Sequence, residues 1–112
     1  MYGNGTFVAY VGGRPTNIYL RNIDSFDSTM LADTQGAQLP VFSPDGRWIA
    51  YFAQSKLWKI AVSGGAPVEI CETAGGPGLA WGDGELYFPR TNGGGLWAVS
   101  ENGGEIRPVS NL

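Results

Sequence analysis

Three basic residues, Arg14, Lys56 and Arg90, fall one in each third of the chain, accompanied by Asn17, Gln35, Gln54, Glu72 and Asn92. Guanidinium and ammonium groups with amide neighbours can hold a carboxylate or another small anion if the fold brings them together. As isolated loop charges they need no ligand, because exposed Arg and Lys are ordinary. Catalytic chemistry is poorly supplied by comparison. The chain has no His, which removes the usual general base, the Ser-His-Asp and Cys-His arrangements and the commonest zinc ligand. Asp45, Asp83, Glu69, Glu72 and Glu85 offer carboxylate pairs of the kind that hydrolyse glycosides. However, Asp45 and Asp83 each precede a Gly within a turn sequence, where Asp bonds its own backbone. Residues 24–28, Asp-Ser-Phe-Asp-Ser, carry oxygen ligands but lack the Gly and closing Glu of a calcium loop, and read as a turn. No helix follows Gly75-Gly76 or Gly93-Gly94-Gly95, so neither forms a phosphate cradle. Cys71, at an apolar strand position, reads as a small buried hydrophobe. No catalytic residue, metal site or cofactor is expected.

The elements that must position these residues are short. The 112 residues suit one unit rather than two. With 18 Gly and 7 Pro, and no stretch of helical periodicity, they point to strands and turns. A net charge of −3 argues against nucleic acid or an anionic membrane as partner. No apolar run reaches the roughly 20 residues of a membrane helix, and MYGNGTFVAY has neither the basic start nor the apolar core of a secretion signal.

Residues 39–73 contain one complete unit. Strands are expected over 39–43, 48–52, 57–62 and 68–71, joined by Pro44-Asp45-Gly46, Gln54-Ser55-Lys56 and Ser63-Gly64-Gly65, which makes a four-stranded meander. The second strand, Trp48-Ile49-Ala50-Tyr51-Phe52, is apolar on both faces, as befits a strand between two other sheets. A shift of 39 residues carries Ile18-Tyr19 onto Leu57-Trp58 and then Leu96-Trp97, Ser63-Gly64-Gly65 onto Asn102-Gly103-Gly104, and Leu31 onto Ile70 and Val109. Phe42 likewise falls on Trp81. The second strands align as Phe7-Val8-Ala9-Tyr10, Trp48-Ile49-Ala50-Tyr51 and Leu86-Tyr87-Phe88. Gly3-Asn4-Gly5 takes the place of the Pro44-Asp45-Gly46 turn, so the first copy is expected to lack its first strand, for eleven strands in all. Four-stranded repeats of roughly 40 residues are the signature of β-propeller blades. The blades are placed at about 1–37, 38–76 and 77–112 of a single unit. Recurrence of Phe42, Trp48, Trp58, Trp81 and Trp97 at repeat positions predicts that they are largely buried between blades rather than forming a sugar-stacking platform.

The stretch Phe42-Ser43-Pro44-Asp45-Gly46-Arg47-Trp48-Ile49-Ala50-Tyr51, followed by Leu57-Trp58 and Gly64-Gly65, resembles the TolB-type, WD-like propeller repeat. The similarity extends over the whole chain. It is clearest in the second copy, closest to the repeats of bacterial receptor-like kinases and of TolB, and departs at Trp81-Gly82-Asp83-Gly84 and at Gly3-Asn4-Gly5. The resemblance implies an all-β propeller, suggests six blades, and suggests a periplasmic or extracytoplasmic setting.

In such a fold the loops joining strands two and three, and those leading to the next blade, gather at one face around the channel. Arg14, Asn17, Gln35, Gln54, Lys56, Glu72, Arg90 and Asn92 all fall in or beside them, so a peptide, a protein or a small anionic ligand is the expected partner there. Propellers close with roughly 4 to 8 blades, so three blades are expected to form half of a six-bladed ring completed by a second chain, a homodimer. The function expected is a non-catalytic binding or scaffold module. The alternatives are the access-filtering propeller of a prolyl-oligopeptidase-type peptidase, which a downstream Gly-x-Ser-x-Gly motif in the parent gene would reveal, and a repeat fragment that only assembles.

Overall fold

A computed structural model describes residues 2–3, 7–24, 28–73, 78–89 and 95–109 of the chain. Twelve strands form three four-stranded antiparallel sheets, and among the described residues no helix is long and apolar enough to cross a membrane. The first sheet contains β1 (Tyr2–Gly3), β2 (Phe7–Gly12), β3 (Asn17–Asn22) and β4 (Ser28–Met30). The second contains β5 (Gln38–Phe42), β6 (Trp48–Ala53), β7 (Lys56–Ala61) and β8 (Val68–Glu72); the third contains β9 (Ala80–Gly82), β10 (Glu85–Pro89), β11 (Leu96–Ser100) and β12 (Arg107–Val109). Each is a meander in sequence order. The first strands are neighbours, β1 beside β5 and β5 beside β9, so the sheets fan out from their first strands as blades do.

The first sheet departs from expectation in having a first strand. Tyr2 pairs with Ala9 and Gly3 with Val8, because two residues suffice to extend a ladder although they are too few to show a period.

Turn chemistry sets the meanders. Asp45 accepts hydrogen bonds from the Ser43 hydroxyl at 2.6 Å and the Arg47 amide at 3.0 Å, while Ser43 Oγ accepts from the Trp48 amide at 3.1 Å. This interlocked turn holds β5 to β6 and accounts for Asp45 structurally, as its sequence context suggested. Gly46, at φ 74°, completes it. Pro40 and Leu39, at φ 54°, form a bulge where β5 carries one residue more than β6 between the Gln38–Phe52 and Val41–Ala50 pairs.

Packing follows from the strand parity. In β6, Ile49, Tyr51 and Ala53 face the first sheet, where they meet Ala9, Ile18, Leu20, Leu31 and Ala37; Ala50 and Phe52 face the third, with Leu57, Ile70, Cys71, Leu86, Phe88 and Val99. The middle strand is thus covered on both faces, as its composition required. Phe52 and Phe88 meet edge to face across the second junction at 5.8 Å. Burial raises the Cys71 thiol to about 11, with nearby Glu69 adding to the effect. Burial likewise raises the Tyr51 phenol, helped by Asp33. Thr34 is fully buried and its hydroxyl bridges the first sheet, accepting from the Ile18 amide at 3.0 Å and donating to the Leu31 carbonyl at 2.7 Å.

The five aromatic residues expected to be largely buried are mostly covered, but none of them is fully enclosed. Phe42, Trp48, Trp58, Trp81 and Trp97 are each half-buried, all but Trp48 packed against the margins of the two cores. The fully enclosed positions go to Tyr51 and Phe88 instead. The physical reason is the size and polarity of the indole: Trp58 Nε1 donates to the Ala53 carbonyl at 3.0 Å and Trp81 Nε1 to Glu101 Oε1 at 2.9 Å, and both bonds draw the ring edge to the rim.

Candidate functional site

In the first and second sheets the loops that carry the sequence-derived candidates are joined in pairs by hydrogen bonds. In the first sheet the β2–β3 turn meets the chain leading to the second sheet, through Gly36 N to the Thr16 carbonyl at 2.7 Å and Thr16 Oγ1 to the Ala37 carbonyl at 3.1 Å. In the second the β6–β7 turn does the same through Thr73 N to the Ser55 carbonyl at 3.1 Å. Both connections therefore lie at one end of the blades, which is the end where the candidate residues stand.

Individual side chains are less gathered than the loops. Arg14 is exposed in the β2–β3 turn. Asn17 begins β3, where its amide donates to the Pro15 carbonyl at 3.2 Å and its Oδ1 accepts from Thr34 Oγ1 at 3.4 Å, so it serves the local structure. Gln35 is exposed in the connection to the second sheet. Gln54 is exposed in the β6–β7 turn, at φ 55°. Lys56 lies opposite Glu72 in the β7–β8 ladder, but its amine donates to Glu69 on the outer strand at 3.1 Å and stands 5.7 Å from the centre of the Trp58 ring. That pair turns Lys56 away from the first strands. Glu72 is exposed at the end of β8. Arg90 and Asn92 lie outside the described residues, as do Gly75-Gly76, Gly93-Gly94 and the middle of the 24–28 turn.

A TolB protein from Agrobacterium tumefaciens decides what kind of fold positions these loops: its solved structure matches with a TM-score of 0.72 and 25% identity, over 93% of this chain and 45% of that one. The fold is TolB-like. The chain therefore spans less than half the length of the TolB chain it matches. No family model matches it, and no curated protein does.

With the fold in place, the opposite end of the blades comes into view. There the β5–β6 and β9–β10 turns meet the β7–β8 and β11–β12 turns, and open clefts run between adjacent sheets, one of them lined by Trp48, Lys59, Trp81, Asp83, Glu101 and Asn102. Sequence reasoning passed over this end because its Trp residues were assigned to the core. The signal that was available is the set of polar residues, Lys59, Glu101 and Asn102, at positions where the preceding repeat has Leu20, Val62 and Ser63.

Proposed function

We propose that the chain is a non-catalytic β-propeller module and that a second copy closes its ring into six blades. The observation that carries this reading is the unequal cover of the three sheets. The second is packed on both faces, whereas the first and third each pack on one. On the open side of the first sheet lie Val8, Tyr10, Tyr19 and Met30, with the two tyrosine rings stacked at 5.4 Å and Met30 49% exposed. On the open side of the third lie Tyr87, Pro89, Leu96 and Val109. These surfaces correspond by repeat to surfaces that are covered within the chain. Tyr10 and Tyr19 stand where Tyr51 and Trp58 face the preceding blade, and Leu96 and Val109 stand where Leu57 and Ile70 face the following one. Two copies related by a two-fold axis along the channel would set each open first sheet against the other's open third sheet and leave no face bare. Correspondence with 45% of a TolB chain supports a half-ring.

Within that ring, Arg14, with the amides of the neighbouring loops, would offer donors at the channel mouth to a carboxylate or another anion of a peptide, a protein or a small ligand. The chain has no His to act as a general base, and no hydrolase activity is expected of it. Analytical ultracentrifugation tests the assembly. Isothermal titration with a carboxylate-terminated peptide, against Arg14→Ala, tests the loop end, and unchanged binding in that variant would remove Arg14 from the site.

A further inference from the structure

The same cleft occurs at both blade junctions with different linings. At the first, Phe7, Leu20, Val62 and Ser63 border the clefts at the turn end. At the second, the repeat-equivalent positions hold Trp48, Lys59, Glu101 and Asn102, joined by Trp81 where the first junction has Phe42. At these positions the first junction shows that Leu20, Val62 and Ser63 satisfy the packing, although Asp45, Arg47 and Trp48 also border its cleft. Lys59, Glu101 and Asn102 at the second are therefore not demanded by the fold.

Their arrangement is ordered. Lys59 Nζ lies 5.0 Å from the centre of the Trp48 ring and donates to Asn102 Oδ1 at 3.4 Å, across the junction. Trp81 Nε1 is held by Glu101. Two half-buried indoles, one ammonium, three carboxylates, a hydroxyl and an amide thus border one open cleft of about 580 Å³, a size within the range that takes a small ligand. The charges select what enters. A ligand cation would meet the Lys59 ammonium already over the Trp48 ring, and an anion would meet Asp45, Asp83 and Glu101. A neutral molecule that both donates and accepts hydrogen bonds, and has an apolar face for an indole, meets no such opposition.

We propose that this cleft binds a neutral saccharide, one sugar ring lying against an indole with its hydroxyls on Asp83, Glu101 and Asn102. The site is built from the second and third sheets of one chain, so it stands apart from the way the ring is closed.

Four Trp residues, two of them in the cleft, make fluorescence the direct readout. The full chain would be titrated with neutral trisaccharides of glucose, galactose and N-acetylglucosamine, with choline as the cationic probe and glucuronate as the anionic one. The comparison protein is Lys59→Leu/Glu101→Val, which copies the first junction's lining, with far-UV circular dichroism to verify its fold. The single variant Asn102→Ser, copying Ser63, gives a second reading if the double variant does not fold. The expected result is a saturable emission change with at least one neutral sugar, weakened about tenfold or more in the variants, an affinity ratio worth about 1.4 kcal/mol. No saturable change with any of the sugars, a response to a charged probe instead, or equal binding by the variants would overturn the proposal.

Discussion

The two blade junctions share an interior and differ at the rim. In the first, Ile18, Leu20, Ile49, Tyr51 and Ile60 close the space between sheets; in the second, Ala50, Phe52, Leu57, Leu86, Phe88 and Val99 do so. Both interiors are apolar, both draw on opposite faces of β6, and each sets one large ring, Tyr51 or Phe88, at an enclosed position. At the turn end, where water reaches the cleft, the first junction places Leu20, Val62 and Ser63 where the second carries Lys59, Glu101 and Asn102. The difference separates what the repeat must keep from what it can vary. The buried layer fixes the angle between blades. The position that Leu20 fills as a buried residue is half-exposed where Lys59 stands, and carries no unpaired buried charge, because the ammonium keeps access to solvent and rests on the Trp48 ring.

The largest expected effect breaks the second junction from within. Phe88→Ala removes a fully enclosed ring from contact with Phe52 and is expected to cost about 3 to 5 kcal/mol in denaturant unfolding. Cys71 lies in the same layer with its thiol raised to about 11 by burial, so few molecules carry the thiolate near neutral pH and alkylation is expected to be slow. The variant should speed that labelling. A loss below about 1 kcal/mol with unchanged labelling would show that the second junction is not packed as described.

Next in size is the polar bridge of the first sheet. Thr34→Val keeps the shape and leaves the Ile18 amide without its buried acceptor, which is expected to cost about 1 to 3 kcal/mol. The same change at Thr73, its half-buried repeat equivalent, is expected to cost less, because water reaches that position. Equal losses at the two sites would show that burial does not distinguish them.

How far the sequence foretold this comparison depends on which layer is considered. The two-sided apolar run from Ile49 to Phe52 announced a strand between two sheets, and it is one. Pro44-Asp45-Gly46 announced its turn, because Asp and Gly do there what their backbone chemistry favours. Tyr2–Gly3 was illegible, since two residues carry no alternation. The rim was less legible for a different reason: a repeat alignment pairs Trp48 with Phe7, Trp58 with Trp97 and Trp81 with Phe42 but does not show how far those positions lie from water. Nor could spacing show that Glu69 draws Lys56 to the outer strand, because that pairing depends on the β7–β8 register, which shifts between Leu57 and Trp58.

The smallest effect expected is on acid stability. The Ser43 hydroxyl first, then the Arg47 amide, hold the Asp45 carboxyl below its ordinary value, and Arg107 does the same for Glu85 on the third sheet. A carboxylate whose folded value is depressed contributes stability that is complete above its unfolded value, near 3.8 for Asp and 4.5 for Glu, and is lost as pH falls through the folded one. Unfolding followed downward from pH 5 should therefore show stability declining below about pH 4.5, with a shallower decline in Asp45→Asn. Because the Glu85–Arg107 pair reaches solvent, added salt is expected to shrink the Glu85 part. A slope unchanged by Asp45→Asn would assign the acid sensitivity elsewhere.

The central claim, that the open faces of the first and third sheets cover one another between two copies, is tested most directly by sedimentation equilibrium at micromolar concentration. Twice the 11.9 kDa of the chain is the mass predicted, falling towards one chain only as the protein unfolds. A stable folded monomer of 11.9 kDa with Tyr10, Tyr19 and Leu96 open to solvent would contradict it.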